Sequence, residues 1–305
     1  MQIKAQPEDF VVKENKVIVK SKDGDYSYWL LKKRNLTTTE AVKKLAERLH
    51  ISKKHIGYAG NKDKKAITEQ HISLTKVTRE KVEKLAIEDI ELIYVTQAKE
   101  RITIGDLASN SFVIVVRNLV EKKLKILQLK NYFGEQRFGK GKNNQEVGKK
   151  LVQGNFKEVC KLLRLEVQEN DFAGALRKLD LRNLRFYVHS YQSDLWNRVV
   201  RELKELPEKV PIVGYLTELE GEVKEKYEKL LEEDGVNQQD FLIKSLPELA
   251  SEGTERKVQV EVKDFTAKWE EDELHKMRKK VTLTFTLPPG AYATMVVKQL
   301  FEEPL

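Results

Sequence analysis

"HIGYAGNKDKKAITEQHISL", residues 55–74, sets a single acid, Asp63, among three lysines, Lys62, Lys64 and Lys65. The runs on either side, "IGYAG" and "AITEQHISL", have the composition of short strands, so the stretch reads as strand, charged turn, strand. A charged turn is ordinarily solvated surface, and a lone carboxylate inside a cationic run needs a stronger reason. Working outward, "TTTEAVKKLAERLH" opens with a capping-box pattern from Thr37 to Glu40. Its apolar residues Val42, Leu45, Ala46 and Leu49 fall on one helical face. "DFVVKENKVIV" and "YSYWLLKK" read as strands before it, and "IELIYVTQ" and "SFVIVVRNL" as strands after it. "TREKVEKLAI" reads as a helix between "AITEQHISL" and "IELIYVTQ".

Further along, a helical block runs from near Asn144, with a break at Gly154, to Leu163. "FYVHSYQSDLWNRVVREL" carries Val188, Tyr191, Leu195 and Val199 at helical spacing. "LPEKVPIVGYL" reads as a connection, and "EVKEKYEKLLEEDG" as a helix ended by Gly235. Strand character returns in "RKVQVEV" and "KVTLTFTL", and "PPGAYATMVVKQLF" reads as a turn leading into a helix. Strand-rich ends around a helical middle predict one sheet domain interrupted by an insertion.

The chain has 305 residues and a formal net charge of +8, unevenly spread. Residues 216–255 hold 12 acids and 4 bases, a local balance of −8, so the remainder carries +16. A basic body with one acidic lobe points to a polyanionic partner, above all nucleic acid. Lysines in "SKKH", "KGKNNQ" and "VGKK", among them Lys140 and Lys142, offer a track for phosphates. The acidic lobe is expected to face away from it. Cys160 is the only cysteine, which excludes an intramolecular disulfide and argues against a thiolate metal cluster. The five histidines show no ligand spacing. Walker, dinucleotide-binding and G-x-S-x-G patterns are all missing. A catalyst without cofactor is the expectation. No apolar run approaches the roughly 20 residues of a membrane span, and the first residues lack a secretory pattern, so a cytoplasmic location is expected.

Five motifs carry a resemblance. "YAGNKDKKAITEQ" resembles the first signature of the TruD family of pseudouridine synthases, approximately A-G-x-K-D-x-x-A-x-T-x-Q. "NYFGEQRFG", residues 131–139, is similar to its second signature. "KAQPEDFVVKE", "GDLASNSFVIVVR" and "LPPGAYATMVVKQL" resemble three further blocks, and all five occur in family order. The chain departs from the pattern at Lys298, where members often carry Arg, and at Tyr292, where some carry Phe. The middle of the chain matches poorly.

The resemblance implies an α+β fold: a pseudouridine synthase core with a mixed, mainly antiparallel sheet flanked by helices, plus an inserted α/β TRUD domain. The implied boundaries are 1–155 and 259–305 for the core and 156–258 for the insertion. It implies cofactor-free isomerisation of uridine to pseudouridine in RNA, with uridine 13 of tRNA the expected target and no membrane or obligate protein partner. Asp63 is the implied nucleophile. Chemistry at a ribose C1′ needs an ionised carboxylate, and cationic neighbours favour that form. An enzyme of this kind takes its base out of the stack and holds it between flat side chains. The family places Phe10 and Tyr292 against the flipped nucleotide, Phe133 beneath the uracil, Asn131 at its imide edge and Lys4 beside Asp63. Trp196 and Tyr191 read as packing residues. A non-catalytic RNA-binding protein or RNA chaperone on the same scaffold is the alternative. A DNA-binding protein lacks a recognition helix or zinc module here.

Overall fold

A computed structural model describes residues 1–139, 141 and 143–302 of the chain. Two compact units emerge: one from Met1–Leu129 with Glu261–Glu302, the other from residues 130–260.

The first unit is built on a nine-stranded sheet. Its strands are β1 (Gln2–Ile3), β2 (Phe10–Asn15), β3 (Tyr26–Arg34), β4 (Ile56–Tyr58), β5 (Ile67–Leu74), β6 (Ile90–Ala98), β7 (Ser109–Leu119), β8 (Lys263–Glu271) and β9 (Lys279–Leu287). The main order is β8-β9-β7-β2-β5-β3-β6, with β1 also on β7 and β4 also on β5. Only β2 and β5 run in parallel, with Val11 opposite Ile67; the other pairings are antiparallel. The sheet is therefore mixed and mainly antiparallel.

Alternation of inward and outward residues explains how these strands pack. In β7, Phe112, Ile114 and Val116 are buried, and Phe112 stacks on Phe285 of β9 with ring centroids 5.4 Å apart. In β3, Trp29 and Leu31 are fully buried. The helix Thr38–Leu49 lays Ala41, Val42, Leu45, Ala46 and Leu49 against them and against Ile56, Ile72 and Leu74. It starts where the sequence places it: the Thr37 hydroxyl accepts from the Glu40 amide, and the Glu40 carboxylate accepts from the Thr37 amide.

The second unit centres on the 22-residue helix Leu181–Glu202, capped by Asp180. Val188, Tyr191, Leu195 and Val199 are buried along one side of it. The helix Asn144–Val152 packs along this long helix and approaches so closely that a Cβ on Gly148 would stand 2.0 Å from the carbonyl oxygen of Tyr187. The acidic helix Gly221–Glu233 and the antiparallel ribbon of Lys209–Ile212 with Thr254–Lys257 complete it. By packing, residues 130–155 belong with this helical unit, whereas the sequence reading groups them with the first part. The contact between Asn144–Val152 and the long helix accounts for the difference.

Candidate active site

The parallel pair β2–β5 explains how the first cluster forms. Because Val11 lies opposite Ile67 in a parallel pair, the segments leading into the two strands reach the same end of the sheet. One is residues 4–9, an excursion between β1 and β2, both of which pair with β7. Lys4 opens this excursion with φ 55°, in the left-handed region that turns the chain out of line. The other is residues 59–66, which carry Asp63. Lys4 Nζ meets Asp63 Oδ2 at 2.5 Å, with side-chain exposures of 18% and 23%. The same ammonium lies 4.0 Å from the centroid of the Phe10 ring, a cation–π contact. Lys4, Phe10 and Asp63 are thus one cluster.

The loop that presents Asp63 is fixed along its backbone. Gln70 Nε2 donates to Gly60 O at 3.1 Å, the Lys62 amide donates to Thr38 Oγ1 at 2.9 Å, and Thr38 Oγ1 donates to Gln70 Oε1 at 2.8 Å. Thr38 and Gln70 are wholly buried. Lys33 Nζ, at the end of β3, donates to Asp63 O at 3.0 Å and to Leu36 O at 2.5 Å. Burial pulls the Lys33 ammonium down to about 8, while the charge of Asp63 pulls the other way. Lys62 folds inward onto Glu14, at 2.8 Å, and the His71 amide donates to the other Glu14 oxygen at 3.0 Å. Phe10 is held from behind: Arg117, buried, grips Asp9 with two nitrogens at 2.8 and 3.0 Å and Asp272 at 3.0 Å. Such a forked pair fixes orientation as well as charge.

The second cluster lies in the other unit. Arg256 Nη2 donates to Asn131 Oδ1 at 2.8 Å and its Nε to Asn131 O at 2.9 Å, while Asn131 Nδ2 donates to Lys257 O at 3.0 Å. The orientation of the Asn131 amide follows from these partners. The same guanidinium lies 4.0 Å from the Phe133 ring centroid, and Trp196 packs edge-on to Phe133. Asn197 makes two bonds to the Phe133 backbone, from its amide to the carbonyl and from the Phe133 N–H to its oxygen. Asn131 and Phe133 are thus brought together by Arg256. Trp196 and Tyr191 are buried packing residues. Tyr292, half-buried, stands in the first unit at the N-cap of the helix Ala293–Phe301.

The lysines divide. Lys62 is internal, Lys64 pairs with Glu40, and Lys149 pairs with Glu146 and Asp234. Lys53 and Lys54 are exposed. Lys140 and Lys142 lie outside the described residues. Among the described residues, no helix is long and apolar enough to cross a membrane, and no group of three or more His, Cys, Asp or Glu could hold a metal ion.

Sequence reasoning passed over Lys33, Glu14, Arg256 and Asn197. Two of these carried a signal. Lys33 continues the inward row Trp29, Leu31, and Glu14 the inward row Phe10, Val12, so each is a charge at a core position. Arg256 and Asn197 carried none, since their partners are distant in sequence.

A lysine-paired acid at one end of a mixed sheet, in a chain that also holds a helical unit, defines a class that comparison with known proteins makes specific. The family model described as tRNA pseudouridine synthase D (TruD) matches residues 1–163 and 202–300. The chain belongs to this family of isomerases. It is 29% identical to the probable tRNA pseudouridine synthase D of Methanosarcina acetivorans, covering 97% of this chain and 91% of that one. It is also 29% identical to the tRNA pseudouridine synthase D of Aquifex aeolicus, covering 99% and 98%. A crystal structure of the putative enzyme from Methanosarcina mazei superposes with a TM-score of 0.74 at 26% identity, covering 99% of this chain and 93% of that one. The alignment with the M. acetivorans protein runs over 406 positions, more than the 305 residues of this chain, so the relative carries stretches that this chain lacks.

Proposed function

We propose that the chain isomerises uridine to pseudouridine in tRNA without a cofactor, with Asp63 as the nucleophile and uridine 13 as the target. The observation that carries this reading is the Lys4–Asp63 contact at 2.5 Å, on a loop whose backbone is tied to buried Thr38, Gln70 and Lys33. A carboxylate held by a cation and a rigid loop is suited to attack at a fixed point.

On this reading the bond from N1 to C1′ breaks as the Asp63 carboxylate takes C1′. The uracil turns over, its C5 forms the new bond to C1′, and Asp63 leaves. The proton on C5 is then lost and N1, freed from the ribose, takes up a proton, which completes the isomerisation with no change in composition. A route through a glycal, in which Asp63 removes a ribose proton, begins from the same ionised carboxylate. Phe10 and Tyr292 are assigned to the flipped nucleotide, Phe133 to the face of the uracil and Asn131 to its imide edge. Asn131 retains hydrogen-bonding capacity for this, since an amide has two donors and two lone pairs and its internal bonds occupy one donor and one lone pair.

The test is incubation with unmodified tRNA transcripts followed by chemical mapping of pseudouridine. Product at position 13, lost in Asp63→Asn while tRNA binding persists, is the expected result. An Asp63→Asn variant with full activity overturns the assignment. Binding should weaken steeply with salt, as phosphate contacts require.

A further inference from the structure

Lys33 is 2% exposed, and a lysine is seldom buried without an acidic partner. Its ammonium pairs with no carboxylate among the described residues. It donates instead to two carbonyl oxygens, Leu36 O and Asp63 O. Leu36 belongs to the turn that leaves β3, so one buried cation ties the end of β3 to the peptide of Asp63. A side chain kept only for packing would be met by methionine, of similar length and with no charge to strip of water.

We propose that Lys33 is a positioning residue for Asp63: its buried ammonium fixes the Asp63 peptide through the carbonyl and holds positive charge behind the carboxylate. This rests on Asp63 being the nucleophile of the proposed reaction. Lys4 and Lys33 then divide the work. Lys4 touches the carboxylate itself and is partly open to solvent, whereas Lys33 acts through the backbone and never meets the substrate. The charged groups facing the Lys33 ammonium are Asp63 and Lys62 from the loop and Glu40 from the helix Thr38–Leu49. Burial sets it to titrate at about 8, so the charge behind Asp63 is present at neutral pH and lost above that value.

The experiment compares the intact wild type, Lys33→Met, Lys33→Arg and Asp63→Asn on an unmodified tRNA transcript. It reads kcat and KM separately from about pH 6 to about pH 10, with circular dichroism melting to confirm folding. Expected for Lys33→Met is a kcat about 30-fold lower with KM changed less than about threefold. Its pH profile should lack the alkaline fall that the wild type shows near Lys33's titration. Lys33→Arg should keep more activity than Lys33→Met and carry the alkaline fall to higher pH, since a guanidinium does not titrate in this range.

Equal kcat in Lys33→Met and the wild type overturns the inference, as does a loss confined to KM. If Lys33→Met fails to fold, the arginine variant decides: an unmoved alkaline fall overturns the inference, and a displaced one supports it. A wild type that forms no pseudouridine, or an Asp63→Asn variant that forms it normally, overturns the proposed function and this inference with it. An active wild type and inactive Asp63→Asn beside an unimpaired Lys33→Met remove this inference alone.

Discussion

Lys62 Nζ and Glu14 Oε2 meet at 2.8 Å with side-chain exposures of 7% and 0%. The lysine that precedes Asp63 in sequence therefore points into the fold, and its charge closes the loop against β2. Removing one member of a buried pair leaves the other charged and stripped of water. Lys62→Met should destabilise the first unit by about 3 kcal/mol, read from urea denaturation. The double variant Glu14→Gln, Lys62→Met should recover part of that loss; an unchanged single variant would show the pair to be dispensable.

The same pair shapes the response to acid. Burial works to raise the Glu14 carboxyl, but the His71 side chain and the Lys62 charge outweigh it and leave it below its ordinary value. Asp272 is lowered to about 2: burial opposes the shift, and the amides of Asn118 and Leu274 with the His275 and Arg117 side chains overcome it. A carboxyl depressed in the folded state contributes stability above its unfolded value, and loses it as pH falls through the folded one. Acid unfolding followed by circular dichroism should therefore set in below about pH 4. Lys62→Met should move its midpoint upward, because Glu14 then protonates earlier.

Lys4 faces Asp63 from a partly exposed position, so its loss should affect rate more than stability. Lys4→Met is expected to lower kcat about 50-fold while changing stability by less than about 1 kcal/mol. Single-turnover kinetics beside thermal melting separate the two. A variant that melts early and turns over normally would contradict the assignment.

Arg256 holds Asn131 by two nitrogens and covers Phe133. Lysine preserves its charge but cannot reproduce the planar fork. Arg256→Lys should raise KM for tRNA about tenfold, measured by steady-state kinetics, with kcat changed less than KM.

Gly148 has no room for a side chain. The obstacle is the Tyr187 carbonyl, part of a helix backbone that cannot rotate aside. Gly148→Ala should destabilise the helical unit by about 2 kcal/mol or more, visible as a lower melting temperature.

Much of the sheet was legible because its strands alternate or carry β-branched and aromatic runs, as "SFVIVVRNL" and "KVTLTFTL" do. The helix at Thr38 was legible from its cap. β8, "KDFTAKWEE", was not: it is an edge strand, mostly exposed, and its charges hide the pattern while protecting the edge. "TREKVEKLAI" promised a longer helix than the Arg79–Glu83 that forms. "RKVQVEV" is divided at Val258 into two short strands. Around the site, Lys4 beside Asp63 followed from the motifs. The support beneath them did not, because Lys62–Glu14 and Arg117–Asp272 join residues 48 and 155 positions apart. Local pattern carries no trace of such pairs.

β7 lies between β2 and β9, yet β9 begins at residue 279 and β7 ends at residue 119. On the ribosome, β7 therefore emerges with one edge vacant, and its partner follows only after the entire helical unit has been synthesised. A strand rich in valine and isoleucine waits through that interval with unpaired amides and carbonyls, an opening for intermolecular pairing. Translation speed across residues 130–260 and the supply of chaperones thus become determinants of how much active protein a cell recovers.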